Sequence, residues 1–570
     1  MTKKTEIKLV SPRKTVEVHL PNGLVLSGPR GAALEDFLRA PEIPNDPPIV
    51  GAVVNNKLRE LHYQITMDAN VRPVTMGEAD GMRFYRRSLT FLLESAFQDI
   101  YPNAILTIDH SITTGGYFCQ VYRHSPLEAE ELAKVEKRMR ELVEQDIPFE
   151  RTKVPLKEAI AHFEERGFSD KVRLLAHRDK DYLILYELGE HRDYHHGYMV
   201  PSTGYLRWFD LTPLAEGFII RFPQKDDPTT LHPFPNDYTL LNIFRRYGDW
   251  LQRLGIDSVG PLNDVITANE IRKVILVSEA LHEQLIAEIA AQIAERAKDL
   301  HVVLIAGPSS SGKTTFSKRL TIQLLAKGIS PFPLEMDNYF VDREKTPRDK
   351  NGEFNFEALD AVDRERLEAD IEQLIAGERV QLPHYDFRTG QSEPGEIVQL
   401  RPGQIIILEG IHGLNPQLIP NIPQKQTFRI YVSALTQLNL DRHNRVSTTD
   451  TRLIRRIVRD SHSRGYTAQE TISRWDSVRR GEERYIFPYQ GEANAMFNSA
   501  LAYELSILKN LAEPLLRQVS HTTIEWIEAN RLLSFLEWFQ PLDTDMIPDN
   551  SILREFIGGS NLEDFKLWEE

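Results

Sequence analysis

The spacing of apolar positions changes several times along the chain, and each change marks a different kind of element. Over residues 5–75 apolar and polar residues alternate in short runs, Glu6–Val10, Thr15–Leu20 and Ile49–Val54, around one helical piece, Ala32–Leu38. That pattern predicts a small α+β module. Pro21-Asn22-Gly23 and Asn55-Asn56-Lys57 supply the turn chemistry its hairpins need. From Gly81 to about Pro223 two longer helical patterns, Phe84–Ile100 and the charged Leu127–Gln145, alternate with strands as a second α+β layer. Prolines 223, 228, 233 and 235 then mark a linker over Pro223–Asp237. Ala268–Asp299 carries Ile271, Val274, Leu281, Leu285, Ile289 and Ile293 at helical spacing. Residues 300 to about 520 alternate strands and helices, which predicts a doubly wound α/β domain with a parallel sheet. The expected division is 1–76, 77–224, a linker and helical connector over 225–299, 300–520, and a helical extension over 521–570.

The most informative stretch is Val302 to Thr315, where a β-branched apolar run feeds into Gly-x-x-x-x-Gly-Lys-Thr. Gly307 and Gly312 permit tight backbone turns, and a helix starting near Lys313 points its amides at an anion. The amphipathic Phe316–Leu325 stretch behind is that helix. Residues Ser309, Ser310, Ser311, Lys313, Thr314 and Thr315 are therefore expected around a nucleoside triphosphate, with Lys313 on the β- and γ-phosphates and Thr314 on magnesium.

Composition narrows the class. Eighty-three acidic residues against 68 Lys and Arg give a formal charge of −15, which argues against a protein built mainly to coat nucleic acid. One cysteine, Cys119, leaves no intramolecular disulfide and no cysteine-rich zinc site. No apolar run approaches membrane-spanning length and the first residues lack a signal-peptide core, so a cytoplasmic enzyme without membrane partners is expected.

Further elements fall where phosphoryl transfer needs them. Pro331–Glu335 reads as a strand followed by Asp337, whose carboxylate, at the strand's carboxyl end, is suited to accept a hydroxyl proton. Gln404–Leu408 is a second buried strand followed by Glu409, a candidate magnesium ligand. Arg452, Arg455, Arg456 and Arg459 lie at spacings of three and four on one helix flank, able to clamp a transferring phosphoryl group.

Together these residues resemble the uridine kinase and phosphoribulokinase family. The matches are 307–315, Asp337-Asn338-Tyr339, Asn355-Phe356-Glu357, Pro383 to Phe387, Glu409-Gly410 and Arg455 to Asp460, in that order. The resemblance implies an ATP- and magnesium-dependent kinase in which Asp337 is the base for a nucleoside 5′-hydroxyl. It implies that Glu357 holds ribose hydroxyls, that Tyr385 lines the base pocket with Tyr339 nearby, and that Arg456, Arg459 and Arg464 serve the substrate site and phosphate lid. The chain departs from that family at the base-reading positions. Gly390 stands where a histidine is usual and leaves its place without a side chain; Tyr466 replaces a lid arginine; Arg474 replaces a base-holding glutamine. Uridine or cytidine is favoured, with altered base specificity.

The first 225 residues resemble the front of threonyl-tRNA synthetase, a TGS module of β-grasp type followed by an editing-type domain, with Val200-Pro201-Ser202-Thr203-Gly204 the clearest echo. The editing ligands are not kept. Arg87 to Phe91 replaces a His-x-x-x-His pair, and His195 to Met199 replaces Cys-x-x-x-His, so His195 alone remains as a ligand type. His195 and His196 read as surface residues in a turn. No tRNA editing and no zinc dependence are expected, although RNA remains compatible with the front half, as does assembly of identical chains. The alternatives to a nucleoside kinase are a P-loop kinase of another small hydroxyl acceptor and an RNA- or ribosome-associated regulator with a nucleotide switch.

Overall fold

The computed structural model describes residues 11–112, 115–233, 239–348, 352 and 354–565. The predicted strand Glu6–Val10 lies outside them. The first module is a five-stranded sheet in the order β2-β1-β5-β3-β4, from β1 (Thr15–His19), β2 (Val25–Pro29), β3 (Ile49–Val54), β4 (Lys57–Arg59) and β5 (Ala69–Thr75), with helix α1 (Leu34–Leu38) on it. Asn55 and Asn56 close the β3–β4 hairpin with φ of 46° and 63°. Both values fall in the left-handed region that asparagine tolerates better than most residues.

A long helix, α2 (Ala79–Ile100), opens the second region. It begins five residues before the apolar pattern, because Asp80 suits a helix start and Gly81 lets the chain pass Thr75, whose carbonyl oxygen lies 2.0 Å from where a Cβ would stand. There follow β6 (Ile105–Ile112), β7 (Gly116–Tyr122), α3 (Ala129–Glu144), β8 (Glu150–Pro155), α4 (Leu156–Glu165), α5 (Ser169–Leu175), β9 (Tyr182–Leu188), β10 (His191–Asp193), β11 (Asp210–Leu214) and β12 (Gly217–Arg221). They form two antiparallel sheets, β11-β12-β7-β6 and β10-β9-β8. The connector holds α6 (Thr239–Leu254), α7 (Val259–Thr267) and α8 (Ile271–Glu295).

The third region is a parallel sheet in the order β14-β17-β13-β18-β19. Its parts are β13 (Val302–Ala306), α9 (Lys313–Ala326), β14 (Pro331–Glu335), α10 (Arg364–Ile375), the hairpin β15 (Arg379–Asp386) and β16 (Gln391–Gln399), β17 (Ile405–Glu409), β18 (Thr427–Ser433), α11 (Thr448–Arg459), α12 (Ala468–Tyr485), β19 (Ala495–Asn498) and α13 (Glu504–Arg517). The central strand β13 is buried along its whole length, as a doubly covered parallel sheet requires. Beyond it come α14 (Glu525–Leu536) and the short α15 (Arg554–Ile557).

One apolar core crosses these regions. It joins Phe163 and Leu174 of the second region, Ile286, Ile289 and Ile293 of α8, Phe316 and Leu320 of α9, and Phe535, Ile552 and Phe556 of the extension. The seam between front and back is also tied by charge. The Lys171 ammonium is fully buried, 2.9 Å from Asp193 and 3.2 Å from Asp441. No helix among the described residues is long and apolar enough to cross a membrane.

Candidate active site

Three strands of the parallel sheet deliver the candidate site to one edge. β13 runs into the loop of Gly307 to Gly312, β17 ends on Glu409, and β14, whose Glu335 pairs in register with Glu409, is followed two residues later by Asp337. Ligands bind outside such carboxyl ends in open α/β sheets.

The loop is shaped by approaches only glycine allows. A Cβ on Gly307 would lie 1.9 Å from the Val432 carbonyl oxygen, and Gly312, with φ of 85°, caps α9 from the left-handed region. Ser310 also has positive φ, 57°, and the hydroxyls of Ser310 and Ser311 are buried without a hydrogen-bond partner. Buried orphan donors beside a helix N-terminus fit a phosphate chain. Lys313 Nζ donates to the Pro308 carbonyl at 3.4 Å, and Thr314 Oγ1 donates to Glu409 Oε1 at 3.3 Å. An alcohol and a carboxylate side by side are the oxygen donors that a hard cation such as magnesium takes.

Carboxylates crowd the cleft. Burial pushes Glu409 up to about 7, against the pull of Lys313, and pushes Glu357 up to about 7 with the help of Glu482. Asp337 opens into the cleft yet is walled by protein, which raises it from its ordinary value, while Lys313 and Arg464 draw it back down. Glu357 also feels Arg456, Lys313 and Asp337, so the predicted base, ribose carboxylate and P-loop lysine share one field.

The arginines divide into two pairs. Arg456 and Arg459 sit around Asp460, at 3.2 and 2.9 Å, and Arg456 also donates to Ser309 Oγ at 2.8 Å. Arg464, on a π-helical turn that continues α11, lies 3.6 Å from Asp460 and is half exposed, facing Asp337. Such turns often mark functional sites. Arg452 and Arg455 do not join a clamp. Arg452 is buried on Glu482 and donates to the Ser309 carbonyl; Arg455 is buried on Glu504, at 2.6 Å. Their charges are neutralised inside the domain, where an unpaired guanidinium would be costly, so they brace the loop.

Other expectations are also revised. Tyr339 is buried in the core, its hydroxyl donated to Asp370 at 3.0 Å, so it supports the Asp337 turn instead of meeting substrate. Tyr385 is buried on β15, in edge contact with Phe340 and Phe387. The place beside Gly390 is not vacant: a Cβ there would stand 2.7 Å from the Arg343 guanidinium, which donates to the Phe387 carbonyl at 2.6 Å. Arg474 is exposed and stacks over the Tyr466 ring at 4.6 Å, so these two departures from the family pattern touch each other beside the lid.

His195 and His196 are not surface turn residues. His195 is buried, its ring edge-on to Phe91 and its Nε2 3.1 Å from Glu94; His196 Nδ1 accepts the Trp538 indole hydrogen, and burial lowers its pKa to about 3. Glu94, Asp193 and His443 lie close enough together to hold a metal ion. The Lys171 ammonium already supplies the cation beside Asp193.

Two contacts at the loop had no sequence signal, because their partners are far away along the chain. Glu482 Oε1 accepts the Ser309 amide at 3.0 Å. Glu555, from the extension, accepts the Thr315 amide at 3.1 Å.

Residues 302–505 match the model of the "Phosphoribulokinase / Uridine kinase family". Curated relatives match elsewhere: the threonine–tRNA ligase of Methylobacillus flagellatus is 35% identical over 170 residues, 30% of this chain and 27% of that protein. The Clostridium kluyveri enzyme is 30% identical over 204 residues, 36% of this chain and 32% of its own length. The chain thus spans about a third or less of these relatives. Among solved structures, a possible uridine kinase from Bacillus stearothermophilus is 22% identical, covering 35% of this chain and 89% of its own, with a TM-score of 0.24. The D-glycerate 3-kinase of Cryptococcus neoformans is 14% identical, covering 45% and 87%, with a TM-score of 0.21. Residues 302–505 are a P-loop kinase domain of the phosphoribulokinase and uridine kinase family, joined to a front half similar to that of threonine–tRNA ligases.

Proposed function

We propose that the protein transfers the γ-phosphoryl group of ATP to the 5′-hydroxyl of a nucleoside. The observation that carries this reading is the placement of Asp337 at the carboxyl edge of the sheet, in the field of Lys313 and Arg464. A nucleotide switch would need the loop but has no use for an acceptor base opposite its lysine. In this reading the P-loop amides and Lys313 hold the triphosphate, and Thr314 and Glu409 hold magnesium, which supplies charge neutralisation on the phosphates. Asp337 takes the hydroxyl proton, Glu357 receives the ribose, and Tyr385 with Arg343 forms the base pocket. Arg456, Arg459 and Arg464 close over the transferring group and keep water from competing as acceptor. Arg343 presents a planar fork where the usual histidine would be, which suits a base carbonyl acceptor and supports an altered ranking of bases.

The test is Asp337→Asn, assayed by ADP release across nucleosides, deoxynucleosides and other small alcohols. ATP affinity should persist while turnover falls about 10²–10⁴-fold. Undiminished turnover would remove Asp337 from the reaction, and a non-nucleoside as the best acceptor would replace the substrate class.

A further inference from the structure

A cavity of about 450 Å³ lies between the front half and the kinase domain, away from the Asp337 cleft. Seven arginines and one lysine line it, against four carboxylates, in a chain whose net charge is −15. Most of these arginines are accounted for. Arg83 and Arg531 share Glu528, Arg452 holds Glu482, and Arg479 holds Glu482 and Glu483. Arg86, Arg87 and Arg445 are different, because among the described residues none has a carboxylate at ion-pair distance.

Arg86 and Arg445 are held instead by aromatic faces. The Arg86 guanidinium lies 4.8 Å over Phe222, the Arg445 guanidinium 4.8 Å over Tyr117, and the two rings pack edge-to-face at 4.8 Å. Arg445 Nε donates to the Asp109 carbonyl, whereas the shielded Arg86 Nε has no hydrogen-bond partner. Stacking holds a guanidinium in place while leaving its in-plane N–H edge free, the arrangement that receives a phosphate bidentately. Burial lowers Arg86, Arg87 and Arg445 from their ordinary range, and Arg445 and Arg83 repel Arg86 further. Clustered, desolvated like charges are costly without a counter-ion, and a cavity of this volume has room for a nucleotide-sized one.

We propose that this cavity is a second binding site, for a small phosphate-bearing molecule of nucleotide size, with Arg86 and Arg445 as its anion clamp. The site is wired to the loop that cradles the triphosphate. Arg452 and Arg479 line the cavity and both hold Glu482, whose other contact is the Ser309 amide. An anion that draws either arginine toward itself loosens the carboxylate on the P-loop, so occupancy changes triphosphate affinity.

Isothermal titration of the full chain with inorganic tripolyphosphate tests this. Two classes of site are expected in the parent. Lys313→Ala should weaken one class, and Arg86→Gln with Arg445→Gln should remove the other while the P-loop class persists and reports a folded protein. An isotherm of the arginine double variant matching the parent overturns the proposal. Should that variant fail to fold, Arg86→Lys with Arg445→Lys keeps the charge but loses the fork. At least a tenfold weaker second class is then expected, and unchanged affinity overturns the proposal equally.

Discussion

Glu555 reaches from the extension to accept the Thr315 amide hydrogen at 3.1 Å, in the first turn of the helix that begins at Lys313. The surrounding extension is seated on the loop: Ile552 Cγ2 lies 2.6 Å from where a Gly312 Cβ would stand, and the Lys318 ammonium donates to the Leu562 and Glu563 carbonyls. A carboxylate has therefore taken one of the amides that a phosphate would use, and it raises Glu409 across the cleft.

Glu555→Gln should tighten ATP binding several-fold, because the amide loses an anionic competitor and the phosphates lose a repulsive neighbour. Nucleotide titration of parent and variant measures this. An unchanged or weaker affinity would mean that Glu555 only braces the helix.

Glu357 and Glu409 each bind their proton until about pH 7, against an ordinary value near 4.5. Between these values the unfolded chain ionises while the folded one holds its protons, so both groups reduce stability as pH rises from about 4.5 to 7. The fall in melting temperature from pH 5.5 to pH 8 should be smaller in Glu357→Gln and Glu409→Gln than in the parent. Parallel curves would show that both carboxyls are already ionised in the fold.

Gly390→His should not restore a pyrimidine-reading histidine. The backbone there has φ of 74°, and the new side chain would collide with Arg343. We expect a loss of about 1–3 kcal/mol in stability and no gain in preference for uridine or cytidine, because the new side chain displaces Arg343 from the base pocket. Chemical denaturation and a nucleoside panel read the two effects separately.

A chain beginning at Leu300 should be insoluble or largely inactive. Removing α8 uncovers the surface on which Ile286, Ile289 and Ile293 share a core with Phe316 and Leu320. Sedimentation and ADP release decide it, and full activity in a stable truncated protein would make the front half separable.

The sheet and its edge were legible because β13, β14 and β17 are short apolar runs bounded by the loop glycines, Asp337 and Glu409. Periodicity placed the strands, and the motif spacing pointed to the candidate residues that the structure gathers at the sheet's edge. What sequence could not show was which charges are spent internally. Arg452 and Arg456 are four residues apart on one helix, yet the first is closed off by Glu482 and the second reaches the Ser309 hydroxyl. That distinction depends on a carboxylate thirty residues away on another helix. Gly390 shows the same limit: the missing side chain is visible in the sequence, but Arg343 in its space is not. His195 seemed exposed because its partners, Phe91 and Glu94, come from a helix far back along the chain.

The lysine sealed between Asp193 and Asp441 has a consequence for descent. A front half borrowed from a different protein would bring its own residues to that seam, and any mismatch would strand a bare charge out of reach of water. Front and back can therefore drift only in step, with each accepted change on one side narrowing the choices on the other. Chimaeras made by exchanging front halves among related chains should be destabilised where the incoming front does not match Asp441, and restoring that match should rescue them.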